Sequence, residues 1–519
     1  MRPFLSPDKP SPLSTLTLCA CCYGGGMLAA LALAPLFVLP AAVGLASGLY
    51  FAALPGTALR SAVCLFMTSW GYLTASLYWI GHSLLIEGGW TLLLLPVVVF
   101  GLPAFLALFW AVAGYGISFL FSRFDTRLIA LSVGLGCADI VRSVVLTGFP
   151  WNVSGQLFMA TELSSHMASF AGQHALNIVA MMTIGAVVML ACFRIRGALF
   201  LFLPALILLV AAGVRFHQIP DEQISASENT APTAIRIIQP AIPQAHKWDR
   251  KQRALHVAQI TELGLSSVPV PELVVLPESA IAGYWPYDDE LAASLSSALT
   301  PFDGQLLSGI LRFEPTAGDR RAFYNSAFLF SHAGQPLATY DKQHLVPFGE
   351  YVPFRSIPFI DVIAGPRDFS FGRHNQPLIR LSDGTSLRVL ICYEAIFQDF
   401  ITDTTQRPDI LVNITNDGWF GMTSGPYQHL TQARMRALEE GLPLIRAANT
   451  GISAAFDGWG RMHGQIGLAE RGLLDISVSA LVSAPSFYAQ NRLFVLTLVF
   501  IWSVGGLLFL ELRRQKRNN

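Results

Sequence analysis

Long apolar runs fill the first 215 residues, and after them short apolar runs alternate with polar turns. A bilayer-spanning helix needs about 20 apolar residues. Seven segments before residue 216 fit: 15–33, 35–54, 61–83, 91–121, 128–147, 168–193 and 197–215. An eighth, 493–511, lies near the C-terminus. The fourth is long enough to tilt or to bend at Pro103. Arg2 and Lys9 precede the first as in a signal peptide, but six spans behind it favour a retained helix. Beyond a polar linker at 219–228, strand-like runs recur at 233–239, 272–276, 305–311, 325–330, 388–392 and 410–414. Helix-like segments at 251–263, 289–299 and 427–440 lie between them, which predicts an α/β domain with its own core. The expected organisation is a seven-span region over 1–216, an α/β domain over 217–490, and a final span with a basic tail over 491–519.

Charge gives this plan a direction. Only 13% of the residues are charged, about half the usual ~25% of soluble proteins. Net charge is zero, which offers nothing to a nucleic acid. Positive residues mark cytoplasmic loops. With the N-terminus inside, the inner connections carry Arg60, Arg123 with Arg127, and Arg194 with Arg196, and the tail Arg513 to Arg517 is inside too. The outer connections carry Glu87 and Glu162. Arg142 is the misfit, with Asp139 one turn away as its expected partner. An odd number of spans then exports the 217–490 domain to the far side of the membrane. The connection at 150–166 is long for a simple loop, and reads equally as the lining of a lateral opening or as an amphipathic interface segment.

Seven cysteines are present, and Cys392 alone follows residue 216. A single thiol in an oxidising compartment forms no internal disulfide, which makes it a candidate for chemistry. Cys392 ends the apolar run Val389-Leu390-Ile391, with Glu394 two residues on. Exposure at a strand end and the N-terminus of a following helix are expected to favour its thiolate.

Two further stretches accompany it: Val274-Val275-Leu276-Pro277-Glu278-Ser279, an apolar strand ending in a carboxylate, and Tyr340-Asp341-Lys342-Gln343-His344, followed by Phe348-Gly349-Glu350-Tyr351-Val352-Pro353. With Ile391-Cys392-Tyr393-Glu394 they resemble the nitrilase superfamily of carbon–nitrogen hydrolases, in which Glu, Lys and Cys cooperate. The multiple spans before the domain, the span after it, and the stretches Thr415-Asn416-Asp417-Gly418-Trp419-Phe420 and Arg446-Ala447-Ala448-Asn449 are similar to the apolipoprotein N-acyltransferase family of Gram-negative inner membranes. The resemblance implies an αββα sandwich beside an α-helical transmembrane bundle of about eight spans, with the α/β domain in the periplasm and both termini in the cytoplasm. It also implies transfer of an acyl chain from a phospholipid donor, through a cysteine thioester, to the N-terminal amine of diacylglyceryl apolipoproteins. No cofactor, metal or nucleic acid is implied.

Acyl transfer needs a nucleophile, a base, and a donor for the oxyanion. The resemblance assigns these to Cys392, Glu278 and Lys342, with a backbone N–H beside Cys392 as second donor. Glu350 is expected to orient Lys342, to relay a proton, or to form only a strand-end salt bridge. Glu394 either pairs with Lys342, positions the acceptor amine, or is a surface carboxylate. Tyr393 and Asn325 are candidate pocket residues. Trp248, Trp285, Phe348, Tyr351, Trp419 and Phe420 are candidates for apolar loops that shield a thioester, Trp248 and Trp419 as lid residues by resemblance. Arg436, Glu439, Arg446 and Asn449 are expected to buttress the fold. His344 and His429 suggest no metal site, since no ligand cluster accompanies them. Two rivals remain: a membrane-anchored amidase using the same three residues, against which the number of spans weighs, and a transporter with Asp139 and Arg142 on its path.

Overall fold

Every long apolar run of the first 215 residues folds as helix in the computed structural model, which describes residues 9–219, 234–265, 271–299, 302–316, 321–353, 368–398, 406–477 and 484–518. The expected linker at 219–228 lies outside the described residues except for Ile219. The chain divides into a helical unit, Met1–Ile219 with Ser486–Asn519, and a second unit, Pro220–Pro485.

In the helical unit, five helices among the described residues are long and apolar enough to cross a membrane: Thr15–Ala32, Gly89–Leu120, Phe124–Thr147, Ala168–Ala191 and Ile195–His217. The segment expected at 35–54 is shorter, Leu39–Ala53. The one expected at 61–83 overlaps the helix Ala58–Leu77, which carries Arg60 and buries Ser61, Thr68, Ser69, Thr74 and Ser76. The C-terminal helix, Phe487–Asn518, contains the expected eighth segment. Within 91–121 the helix departs from regularity at Val97–Gly101, before Pro103, which sits in the first turn of Leu102–Leu120 where a missing N–H is harmless.

Asp139 and Arg142 do meet, at 3.5 Å, and both are buried. Asp139 also accepts from Trp110 Nε1 at 2.9 Å and from the Ser154 hydroxyl at 2.7 Å, while Arg142 donates to the carbonyls of Phe149 and Trp151, both at 3.0 Å. These bonds staple the 150–166 connection, whose residues Trp151 to Leu157 are buried, so it is not an amphipathic segment lying at an interface. A pair bound this way fits a structural staple better than a transport path.

The second unit is built on two sheets. Its strands are β1 (Ala234–Gln239), β2 (Leu273–Val275), β3 (Tyr284–Trp285), β4 (Gln305–Pro315), β5 (Arg321–Phe330), β6 (Pro336–Asp341), β7 (Ile379–Arg380), β8 (Ser386–Ile391), β9 (Ile410–Thr415), β10 (Leu444–Ala448), β11 (Ser453–Phe456), β12 (Met462–Ile466) and β13 (Gly472–Ser477). One sheet runs β13-β1-β2-β4-β5-β6, with β3 on β4, and the other runs β12-β11-β10-β9-β8-β7. In each sheet the central pairs are parallel (β1-β2-β4 and β8-β9-β10), and the outer pairs are antiparallel apart from short β3. Parallel strands buried on both faces need continuous apolar runs, which is what Leu273-Val274-Val275 and Val389-Leu390-Ile391 supply.

Alternation along each strand then separates the layers. Ile235, Ile237, Val275, Leu307, Val389, Ile391, Val412 and Ile445 pack between the sheets. Ile238, Val274 and Leu306 face away, onto the helices Arg253–Ile260 and Asp289–Leu299. Leu390, Leu411 and Leu444 pack on the helix Gly425–Glu440 through Ala433 and Ala437. The order of layers is helix, sheet, sheet, helix.

This layering has a measurable consequence. Ile237→Ala, which empties a site between the sheets, is expected to cost about 2–5 kcal/mol. Leu337→Ala, on an exposed position of β6, is expected to stay within about 0.5 kcal/mol. Denaturant unfolding of the purified protein followed by tryptophan fluorescence checks both.

Candidate active site

Polar residues gather where the parallel strands end, since adjacent carboxyl-terminal loops of an α/β sheet converge there. Glu278 lies in the turn after β2, Lys342 follows β6, Cys392 follows β8, and Asn416 with Asp417 follow β9. Three of these loops contain a non-glycine residue in the left-handed region: Ser279 at φ 46°, Phe348 at φ 63° and Cys392 at φ 51°. Each such residue costs about 1–3 kcal/mol, a strain that collects at functional sites.

Lys342 is the hub. Its Nζ lies 2.8 Å from Glu350 and 3.7 Å from Glu278 Oε1, and its side chain is buried. Asn325, on β5, bridges the two carboxylates by donating its amide to Glu278 Oε1 at 2.7 Å and to Glu350 Oε1 at 2.9 Å. Glu350 closes its own turn by accepting from the Val346 N–H at 2.8 Å. Burial alone would lower the Lys342 ammonium, but Glu350 and Glu278 outweigh it and raise the group above the ordinary lysine range. Glu350 therefore does hold Lys342, and Asn325 belongs to the same network.

Glu394 is not a surface carboxylate. It is fully buried, and its oxygens accept from Ile391 N at 2.7 Å, Gln343 N at 2.7 Å, His344 N at 3.1 Å and the Tyr340 hydroxyl at 3.0 and 3.1 Å. Both oxygens are engaged with the protein, so it ties the lysine loop to the cysteine turn and is not placed to receive an amine. Burial pushes it up to about 7, against these hydrogen bonds and Lys342, which favour the anion.

Cys392 departs from expectation in two ways. It is buried, and the helix after it is a single short turn, Cys392–Ile396, with too little dipole to act on the thiol. Burial, followed by the Glu278 charge, raises the thiol well above its ordinary value, with Lys342 and a Thr415 hydrogen bond opposing. That direction favours the thiol over the thiolate. Behind it His429 Nε2 meets the Cys392 carbonyl at 3.1 Å, and His429 Nδ1 meets Asp417 at 2.8 Å. Arg446 donates to Asp417 at 2.6 Å. Burial would raise Asp417, but Arg446 and His429 hold it down to about 2.

Of the aromatic candidates, Trp285 packs on Phe330 and Phe328 and belongs to the outer core rather than to a mobile loop. Tyr393 is buried against His344 and Phe397. Tyr351 is half-buried and packs on Phe371, Phe420 is half-buried near the His429 ring, and Trp248 and Trp419 are partly exposed. Phe348 is 74% exposed. Arg436 pairs with Glu439 at 3.0 Å, and Asn449 brackets Ile242 through its side-chain amide. Among the described residues no group of three His, Cys, Asp or Glu side chains is placed to hold a metal ion.

The roles of four residues escape the sequence reading. Lys247, buried, donates to the Glu278 carbonyl at 3.0 Å. Asp417 and His429 act together, although only Asp417 lies in a stretch with a visible signal. Gly309, on β4, lies so close to the Glu278 turn that a Cβ would meet Glu278 Cα and Ser279 N at 2.6 Å.

Two substitutions test this framework. Glu394→Gln sets an amide nitrogen against at least one backbone N–H whichever way it turns, and is expected to destabilise the protein by about 1–3 kcal/mol in thermal unfolding. Gly309→Ala must push the Glu278 turn aside. It is expected to lower the rate of acyl transfer at least tenfold, read as a fall in kcat, while costing about 1–3 kcal/mol of stability.

Residues 234–484 match the carbon-nitrogen hydrolase family, and residues 25–187 match the apolipoprotein N-acyltransferase N-terminal domain. An apolipoprotein N-acyltransferase of Brucella melitensis biotype 1 is 36% identical over 456 residues, covering 85% of this chain and 84% of its own. One of Rhizobium rhizogenes strain K84 is 36% identical over 430 residues, covering 80% of each. A solved carbon-nitrogen hydrolase from Helicobacter pylori G27 is 20% identical, covers 47% of this chain and 88% of its own, and superposes with a TM-score of 0.37. With relatives of that identity along most of its length, and both halves matched, the chain belongs to the apolipoprotein N-acyltransferase family.

Proposed function

We propose that this protein takes an acyl chain from a phospholipid onto Cys392 and passes it to the N-terminal amine of S-diacylglyceryl-cysteine apolipoproteins. The observation that carries the chemistry is a buried cysteine in the field of a carboxylate and an ammonium that lie 3.7 Å apart. In the first half-reaction Glu278 takes the thiol proton as sulfur attacks the ester carbonyl, and Lys342 stabilises the oxyanion. Collapse breaks the ester C–O bond, and Glu278 returns its proton to the leaving alkoxide. In the second, the amine attacks the thioester and loses a proton to Glu278; the C–S bond breaks, and the proton returns to sulfur. Splitting the transfer this way predicts ping-pong kinetics.

Glu350 and Asn325 orient Lys342 and Glu278 in this reading, and Glu394 fixes the spacing of their loops. Tyr393 and Tyr351 are proposed to line the acyl pocket, with Trp248 and Trp419 as the lid that keeps water from the thioester. The domain plan is 1–216, 217–490 and 491–519, with eight spans, a periplasmic catalytic domain and both termini cytoplasmic. Apolar helices that enter and leave the catalytic domain suit an enzyme whose substrates are both lipid-borne. An amidase acting on a small exported amide has no use for so many spans.

Incubation with acyl-labelled phospholipid is expected to leave the label on Cys392, detected by mass spectrometry. Cys392→Ala is expected to abolish that label, and its survival would remove the assignment. Reporter fusions after Arg127 and Lys516 are expected in the cytoplasm and one near Asp221 in the periplasm. A reversed pattern would overturn the topology.

A further inference from the structure

We infer that Lys247 is a positioning residue for Glu278: its ammonium fixes the main chain of the base and balances the second carboxylate of the site. The inference rests on Glu278 being the base. Two carboxylates, Glu278 and Glu350, share one nearby cation in Lys342, and that cation sits closer to Glu350, at 2.8 Å against 3.7 Å. Glu278 is thus the less well compensated of the two and, unlike half-buried Glu350, it is buried. A buried negative charge is costly unless a positive one lies near it, and the proposed reaction needs Glu278 charged at rest. Lys247 is a second positive charge that Glu278 senses, in direct contact with its main-chain carbonyl.

Its placement is built into the fold. Lys247 is 1% exposed, and its Nζ donates to the Glu278 carbonyl at 3.0 Å. The loop that carries it is clamped at three points. Asn449 accepts from Ile242 N at 3.1 Å and donates to the Ile242 carbonyl at 2.8 Å, and Asn416 donates to Gln244 Oε1 at 2.8 Å. Burying a lysine that deeply is costly unless its charge meets an opposite one. The titratable groups that face it are Glu278 after β2, Cys392 after β8, and His256 on the Arg253–Ile260 helix, while Glu278 in turn faces Lys342. Burial lowers Lys247 to about 8, with Glu278 and Cys392 opposing, so it remains largely charged at neutral pH.

The count of charges also follows the reaction. At rest the cluster holds two anions, Glu278 and Glu350, and two cations, Lys342 and Lys247. When the thiol proton moves to Glu278 and the oxyanion forms, it again holds two of each. Neither step leaves a net charge in the buried site. Without Lys247 both states carry an extra negative charge.

The test is the pH profile of thioester formation on Cys392, followed by mass spectrometry in mixed micelles of phosphatidylethanolamine and detergent. Lys247→Met is expected to move the acid limb upward by about one pH unit. Lys247→Gln, which keeps an N–H donor for the Glu278 carbonyl without the charge, is expected to move it equally. Lys247→Arg is expected to restore it. An acid limb that stays in place in both neutral variants, with only a uniform fall in rate, would overturn the inference. Thioester formation that persists in Glu278→Gln would instead overturn the base assignment beneath it.

Discussion

One buried carboxylate sets the geometry on which the catalytic cluster depends. Glu394 belongs to the cysteine turn, yet two of its donors, the N–H groups of Gln343 and His344, belong to the lysine loop. The carboxylate therefore holds together two segments that leave different sheets. A hydrogen bond to a charged group contributes about 1.5–3 kcal/mol, and four donors converge here. Tyr340, one of the four, lies in the core between the sheets, so the clamp is continuous with the packing that joins them. The distance from lysine to cysteine is thus a property of the sandwich and not of flexible loops.

The second constraint is charge. The site concentrates Glu278, Glu350, Lys342 and Lys247 in a volume where each alone would be expelled. Asn325 resolves the contact between the carboxylates by offering both protons of one amide. An asparagine turned the other way would set its oxygen against two anions, so the network itself fixes the orientation of the amide. Behind the thiol, Arg446, Asp417 and His429 repeat the principle, ending on the Cys392 carbonyl. Backbone strain at Cys392 is supported by that contact on one side and by the Glu394 bond to Ile391 on the other.

Much of this was legible in the residues, and the parts that were not share a cause. The strands that precede Glu278 and Cys392 carry short apolar runs, a local pattern, and the structure places them within one or two residues of expectation. Helices 289–299 and 425–440 were legible by the same local logic. Lys247, Asp417 and His429 act through contacts across 12 to 37 residues, to which no local spacing points. The state of Cys392 was misread because a strand end suggests exposure, whereas here the turn folds back under the neighbouring loops. For Glu394 the sequence leaves three readings open, and the surface one fails for a similar reason: a carboxylate early in a helix normally faces water, and only the approach of the lysine loop buries it.

That burial makes sense of a thiol kept protonated. The thiolate is the form that oxidants and alkylating agents attack. In the exported setting proposed for this domain, a standing thiolate with no resolving partner would be lost to oxidation. Raising the thiol by burial and by the Glu278 charge keeps it inert until an ester carbonyl arrives to accept the electrons. The cost is that attack must be coupled to proton transfer; in the proposed mechanism the base is Glu278, whose carboxylate lies 3.7 Å from the Lys342 ammonium and whose main-chain carbonyl accepts from Lys247. Reactivity is then conditional on substrate, which suits an enzyme that must hold an acyl thioester for an amine and refuse it to water.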